Sequence, residues 1–413
     1  MPAVVWRREA PVSGASRFSL CRWLAHRRQD RADRYYAGEI VRRWMASAYG
    51  VGLCRDTQSA AGVPGIAAPR VVSVVFGELT RLLIAMQPGQ LIKDYTAVAD
   101  RLAEGLAVPR VRFRPRGHGL IWCELLSVDP LTEQVPLPVA GWDSSRLVLV
   151  GCETGEELSV SLRDCAHIIA QGQTRSGKSR WAYGLLAQLA GCPDVLIGGS
   201  DITGLLARAF ANTRHSGWAS GSADIEAHAE VLEALVEEMD RRIAAMPSRI
   251  DVYPTSADDP MRFVVIEELA GLITAAAAAD AMAPKPKPGQ RSAPKLVDRI
   301  KGAYTRLLAE GAKAGFRVLI LVQRAEAGVI GGFARDQASL RISFRCDNVD
   351  SIKMLHAQAD RPTAELHATA ESAIALVSGP GLPLLRGKAP HMPSYAHFCD
   401  LVQTASGRRL LAV

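Results

Sequence analysis

The stretch Gly172-Gln-Thr-Arg-Ser-Gly-Lys-Ser179 constrains this chain more than any other. It matches G-x-x-x-x-G-K-[ST], a pattern that works only with a buried strand before it and a helix after it. Both are legible. The β-branched run His167 to Ala170 precedes the loop, and the helical run Arg180 to Leu189, which Gly191 can end, follows it. Small residues let successive backbone N–H groups turn inward around a phosphate, and the helix N-terminus adds partial positive charge. Gly172, Gln173, Thr174, Arg175, Ser176, Gly177, Lys178 and Ser179 are therefore expected to hold ATP, with Lys178 on the β- and γ-phosphates and Ser179 on Mg2+.

The surrounding pattern supplies the rest of such a core. Short apolar runs recur at Val195 to Gly198, Phe263 to Ile266, Val318 to Val322, Leu340 to Phe344 and Ala373 to Val377, and read as buried strands of a mostly parallel sheet. Between them, Ile225, Leu232, Leu235, Val236, Met239 and Ile243 follow an N-cap candidate at Asp224. Leu296, Ile300, Tyr304, Leu307 and Leu308 mark a second helix ending near Gly315. Alternating strands and helices imply right-handed crossovers and a doubly wound sheet, so the fold class is α/β with a RecA-like P-loop ATPase core. The alanine run and Pro-Lys-Pro-Lys-Pro-Gly between Ala275 and Pro294 read as an insertion between strand and helix.

A chain of 413 residues exceeds what one core fills, so a second domain is expected. Residues 1–69 read as a basic, partly helical leader and linker, 70–146 as a small α+β module, 147–390 as the ATPase domain, and 391–413 as a short tail. The module rests on an apolar run at Val71 to Phe76, a helical segment at Thr96 to Leu106 and alternating runs at Val111 to Arg114 and Leu120 to Leu126. Of the formal charge of +7, most lies in Met1 to Arg43, where ten arginines face four acidic residues, a net of +6. Such an arm can neutralise nucleic-acid phosphates or an anionic membrane, or form a solvated amphipathic helix. The eight cysteines show no C-x-x-C spacing, which indicates neither a zinc site nor a disulfide framework. With no long uncharged apolar run and no signal-peptide pattern, a cytoplasmic location is expected, membrane association being left to a partner.

ATP chemistry also needs carboxylates. Phe263-Val-Val-Ile-Glu-Glu268 brings an apolar strand to the edge where the loop lies and ends it in two acids. Glu267 is the candidate metal ligand and Glu268 the candidate for polarising the lytic water, although two acids here would also favour the N-terminus of a helix beginning near Leu269. The strand Val318 to Val322 ends in Gln323-Arg324, where Gln323 can sense a γ-phosphate or orient water. Arg341 and Arg345 lie on one face of the next strand, where either could project into a neighbouring subunit's ATP or be an ordinary surface arginine of a basic chain.

From about Leu147 to Arg386 the chain resembles the FtsK/SpoIIIE family of DNA-pumping ATPases, in particular compact versions carried by actinobacterial plasmids and integrative elements. The resemblance rests on spaced blocks in order: His167 ahead of GQTRSGKS, Asp201 after the second strand, Glu238-Met-Asp-Arg-Arg242, VVIEELAGL, Ala309-Glu-Gly-Ala-Lys-Ala-Gly315, LILVQR and LRISFR. It implies a homo-oligomeric ring, a hexamer, that threads double-stranded DNA and couples ATP hydrolysis to translocation in conjugation, element transfer or segregation. It also implies Gly172, Gly177, Lys178 and Ser179 on nucleotide and magnesium, Glu267 and Glu268 in the hydrolysis motif, Gln323 as γ-phosphate sensor, and Arg341 as the arginine acting in trans.

The sequence departs from the family pattern in three places. Arg175 replaces a glycine, Glu267 replaces an aspartate, and Ala368 to Ser372 replace a Gly-Arg-Gly-Asp block. Only 27 residues follow Arg386, too few for a winged-helix reader of DNA sequence, so sequence-neutral movement or guidance by a DNA-recognition or membrane-tethering partner is expected. An ATPase that engages protein substrates in a type VII-like secretion system shares this core and is the alternative.

Overall fold

The computed structural model describes residues 5–8, 20–58, 64–77, 79–138, 143–165, 167–284, 292–324 and 332–406. The chain divides into two compact units, Met1–Glu133 with Glu153–Gly155, and Gln134–Cys152 with Glu156–Val413.

The first unit contains β1 (Val5–Arg8), α1 (Leu20–Gly50), β2 (Arg55–Gln58), β3 (Pro64–Ala67), β4 (Arg70–Phe76), β5 (Thr80–Ala85), α2 (Ile92–Thr96), α3 (Ala99–Leu106), β6 (Arg110–Gly117) and β7 (Leu120–Leu126). Its five-stranded sheet runs β1-β4-β5-β7-β6, with β2 and β3 forming a separate hairpin. Ala37, Trp44 and Ala48 recur on one face of α1 and share a core with Val74, Leu82, Tyr95 and Leu102. The Trp44 indole stacks on Tyr95 and donates to the Pro69 carbonyl at 2.9 Å. The described part of the basic leader is therefore built into the module's core. The sequence reading separated it at Pro69 because the Ala/Gly/Pro-rich stretch looks like a linker, yet residues 64–67 of that stretch pair as β3.

The second unit contains β8 (Leu147–Cys152), β9 (Glu157–Val160), β10 (His167–Gln171), α4 (Lys178–Ala190), β11 (Val195–Asp201), α5 (Leu205–Ala209), β12 (Trp218–Ser220), α6 (Ile225–Ala244), β13 (Met261–Glu267), α7 (Leu269–Met282), α8 (Leu296–Glu310) and β14 (Phe316–Val322). It continues with α9 (Gly332–Gln337), β15 (Leu340–Ser343), α10 (Val349–Leu355), α11 (Arg361–Ala368), β16 (Ile374–Gly379), β17 (Leu382–Lys388) and α12 (Tyr395–Ala405). One sheet runs β12-β11-β13-β14-β10-β15-β16-β17-β8-β9. It is parallel from β12 to β15 and antiparallel beyond.

Period-two alternation shows that both faces of the parallel part are covered. On β13, Phe263 and Val265 enter one core while Val264 and Ile266 enter the other; on β14, Leu319 and Leu321 oppose Val318, Ile320 and Val322. Helix α4 packs on the first face, and α6, α7 and α8 on the second. This is the mostly parallel, doubly wound α/β arrangement that the sequence implies.

Two local readings are corrected. The alanine run from Ala275 is part of α7 and not an insertion, because alanine is the strongest helix former; residues 285–291 lie outside the described ones. The stretch after residue 391 holds α12, whose Phe398 and Val402 are buried in the core beside α4. Tyr183 of α4 stacks on Phe398 with ring centroids 4.7 Å apart. No helix among the described residues is long and apolar enough to cross a membrane.

Candidate active site

Strand β10 lies between β14 and β15, so the chain leaves it in one direction toward β11 and later crosses over it from β14 to β15. Ligands bind outside the carboxyl ends of parallel strands at such a switch point. Here the ends of β11, β13, β14 and β10 coincide. Asp201 is paired in register with Glu267, and Gln171 with Val322. The turn after each strand therefore reaches the same edge.

The loop from Gly172 to Ser179 occupies that edge and wraps a cavity of about 680 Å3, which Glu267, Glu268 and Gln323 also line. Two of its glycines are demanded by space. A Cβ on Gly172 would fall 2.6 Å from Ser176 Oγ and 2.7 Å from Phe344 Cβ. Gly177, at φ 104, is the N-cap of α4, and a Cβ there would meet the Ala373 backbone N at 2.6 Å. That approach is fixed by a hydrogen bond from Ala373 N to the Ser176 carbonyl at 2.9 Å. The segment in which the sequence departs from the family block thus ends against the loop, and its Ser372 lines the cavity.

Lys178 is buried, donating to the Val322 carbonyl at 2.8 Å and pairing with Glu268 at 3.5 Å. Glu268 sits at the N-cap of α7 with φ 50 and ψ 59, a left-handed conformation that is uncommon for a side-chain-bearing residue. The turn follows the end of β13, and the carboxylates of Glu267 and Glu268 both line the cavity. Burial, reinforced by the carboxylates of Asp201 and Glu268, pushes the Glu267 carboxyl up to about 7, against the opposing pull of Lys178 and the Thr203 hydroxyl. A buried acid crowded by two others is a group that a cation would stabilise in its charged form.

The residues fit ATP and a magnesium ion. Ser176 Oγ and Glu267 Oε2 are buried without a hydrogen-bond partner among the described residues, and both residues line the cavity. The first amides of α4 have no intrahelical acceptor and begin at the loop, which suits an anion. Ser179 and Glu267 supply the oxygen donors that magnesium prefers.

Arg341 is not brought to this cavity. It lies on β15 in register with Ile169, and its guanidinium donates to the Arg335 carbonyl at 3.4 Å. Arg345 likewise turns away, donating to the Ala370 carbonyl at 3.2 Å.

Three features of the site escape the motif reading. The Asp201 carboxylate accepts from Thr203 N and Oγ1, Leu206 N at 2.7 Å and Ala207 N at 3.0 Å, which holds α5 as a wall of the cavity. The signal for it was an aspartate at a strand end followed by Ile-Thr-Gly, a turn-forming composition. Tyr183, one helical turn beyond Ser179, also lines the cavity. Beneath the loop, Gln171 is fully buried, and its amide donates to Ser343 Oγ at 2.6 Å and the Ser351 carbonyl at 3.1 Å. Ser343 Oγ in turn bonds His356 Nε2 at 2.8 Å, and His356 Nδ1 bonds Ser378 Oγ at 2.7 Å. This polar chain ties β10 to β15 and β16 directly behind the cradle.

No protein-family model and no curated protein matches the chain at the level of sequence. Among solved structures it is similar to the pCW3 conjugation coupling protein TcpA, in its monomer form with ATPγS. The match has a TM-score of 0.53 at 15% identity and covers 88% of this chain and 98% of that one. The chain has the fold of that coupling protein. The resemblance to the FtsK/SpoIIIE family read from the motifs therefore holds at the level of fold. Weaker likeness extends to the cytoplasmic domain of the Thermomonospora curvata type VII secretion ATPase EccC, with a TM-score of 0.49 and 19% identity over 68% of this chain and 33% of that one. ATPases 2 and 3 of EssC from Geobacillus thermodenitrificans give a TM-score of 0.49 and 13% identity over 68% and 51%. The likeness to the coupling protein shows the fold; identities this low leave activity, substrate and partners to the site itself.

Proposed function

We propose that this chain is an ATP-hydrolysing motor of the FtsK/SpoIIIE type that translocates double-stranded DNA, working as a ring of identical subunits in transfer or segregation of a mobile element. The observation that carries the hydrolytic part is the convergence of Lys178, Glu267, Glu268 and Gln323 on one cavity at the carboxyl edge of the parallel sheet. The DNA part is supported by the order of motif blocks in the sequence and by likeness to a conjugation coupling protein across most of both chains.

Within that reading each residue has a distinct task. The backbone of the Gly172 to Ser179 loop and the α4 N-terminus hold the phosphates, and Lys178 exchanges its contact with Glu268 for phosphate oxygens. Ser179 and Glu267 would hold magnesium, which supplies charge neutralisation at the phosphates when bound. Glu268, released from Lys178, accepts a proton from the attacking water, and Gln323 orients that water or the γ-phosphate. Arg341, outside its own cavity, is assigned to the cavity of a neighbouring subunit, where a guanidinium offsets transition-state charge.

The test is ATP hydrolysis measured with double-stranded DNA, single-stranded DNA and none. Stimulation by duplex that declines with salt supports the motor, since phosphate contacts release counterions. Stimulation by a peptide with indifference to DNA overturns it in favour of a protein-engaging ATPase.

A further inference from the structure

Three cationic side chains line the nucleotide cavity: Lys178, Arg180 and Arg175. Two are engaged by the protein. Lys178 holds the Val322 carbonyl and Glu268, and Arg180 donates to the Met392 carbonyl at 2.5 Å. The guanidinium of Arg175 has no hydrogen bond or ion pair among the described residues, and the side chain is exposed at the cavity.

Its backbone is held at φ 64, in the left-handed region that glycine enters freely and a long side chain does not. Any glycine would relax this turn, yet an arginine stands there. Strain kept at a ligand site points to a role for the side chain that keeps it. Electrostatics specify the role. With ATP bound, the triphosphate together with Glu267 and Glu268 brings more negative charge to the cavity than magnesium, Lys178 and the α4 N-terminus offset. A guanidinium presents a planar fork that matches two phosphate oxygens, and an unpaired one gives up no protein partner when it binds them.

We propose that Arg175 is a phosphate-binding residue acting in cis: its guanidinium closes over the polyphosphate of the ATP held by its own loop. This rests on the nucleotide reading of the cavity. The assignment sets Arg175 apart from Arg341, which has no access to its own cavity and is placed in trans.

The experiment compares ATPγS binding by the full chain, by calorimetry across a series of KCl concentrations, for wild type, Arg175→Asn, Arg175→Gly and Arg175→Lys, with Lys178→Ala as reference. Asparagine tolerates the left-handed turn while removing the charge, and glycine also releases the strain. The Asn and Gly variants are expected to bind about tenfold more weakly, with a shallower salt dependence, as loss of a charge-assisted contact requires. The Lys variant should stay within about threefold of wild type, since the charge remains although the fork is lost. Without nucleotide, the Gly variant should unfold at a higher temperature than wild type.

Wild-type affinity in the Gly variant would show the arginine to be tolerated strain and overturn the proposal. A loss that appears only at concentrations where the chain self-associates would overturn the cis assignment. If wild type binds ATPγS no better than Lys178→Ala does, the nucleotide site itself fails, and this inference with it.

Discussion

Lys178 Nζ and Glu268 Oε2 stand 3.5 Å apart across the nucleotide cavity, with the lysine also held by the Val322 carbonyl at 2.8 Å. Each is the other's counter-charge in the absence of phosphate. On the proposed reading ATP competes for the lysine, and in doing so it frees the carboxylate assigned to the lytic water. That reading links binding of substrate and readiness of the base through one contact.

That link separates two variants. Lys178→Ala should lose ATP binding and leave the half-buried Glu268 without its counter-charge. Glu268→Gln should bind ATP at least as well as wild type, because the lysine is released, yet turn over about a hundredfold or more slower, the usual contribution of a general base. Steady-state hydrolysis with parallel binding measurements checks both. Unchanged turnover in the Gln variant would remove Glu268 from the chemistry.

Gly177→Ala tests the packing of the loop against Ala373, the residue just before β16. A methyl group at φ 104 would sit 2.6 Å from Ala373 N and 2.7 Å from its Cα, both backbone atoms that cannot rotate aside. Strain and clash together should cost at least about 2 kcal/mol of stability. Urea unfolding measures it, and a loss below about 0.5 kcal/mol, the range of a neutral surface change, would contradict the described contact.

How much of this was legible beforehand follows from where each signal lives. The cradle, its strand and its helix are contiguous, so Gly172 to Ser179 could be placed from local pattern alone. Glu267, Glu268 and Gln323 were recoverable because parallel strands put their carboxyl ends at one edge, and a polar residue closing an apolar run marks that edge. Asp201 was visible as a residue but not as the anchor of α5, since its partners are backbone amides that any sequence supplies. The chain from Gln171 through Ser343 and His356 to Ser378 joins positions up to 207 residues apart in sequence, and pairwise contact at that range leaves no periodic trace in a single sequence. Trp44 shows the opposite failure. A basic helix reads as solvated when its buried face is narrow, and only the stacked Tyr95 reveals that face.

The buried histidines predict an acid-sensitive core. Burial pushes His356 down to about 3 and His367 down to about 4, with neighbouring positive charge from His367 and Arg341 on the first and from Arg386 on the second adding to the effect. The unfolded chain titrates near the ordinary value of 6.5, so between about pH 6.5 and pH 4 it binds more protons than the native state does. Stability is therefore full above pH 6.5 and is lost as pH falls toward the folded values. At pH 5 the pair should account for a loss on the order of 2 to 4 kcal/mol relative to pH 7.5. Urea unfolding at the two pH values measures it. Replacing His356 and His367 together by Gln should reduce the dependence by about half, because burial pushes His167 and His215 down to about 4 as well, and an unchanged slope would assign the effect elsewhere.

Arg341 makes the sharpest test of assembly. Its guanidinium is held by the Arg335 carbonyl at 3.4 Å and lies 3.9 Å from Asp336, away from its own nucleotide cavity. If it serves a neighbour, Arg341→Ala should bind ATP normally and hydrolyse it about a thousandfold more slowly, the scale on which an arginine in trans acts. Lys178→Ala should also be inactive, for the separate reason that its cradle is empty of the lysine. The two defects lie on opposite sides of a shared site. Mixing the inactive proteins should therefore restore hydrolysis wherever a Lys178→Ala subunit presents its intact arginine to an Arg341→Ala subunit with an intact cradle. Recovery should rise with total protein concentration, because the competent site exists only between subunits. Hydrolysis that stays absent at every mixing ratio, in a preparation shown to be oligomeric, would mean that Arg341 does not complete a neighbour's site and that its loss acts within its own subunit.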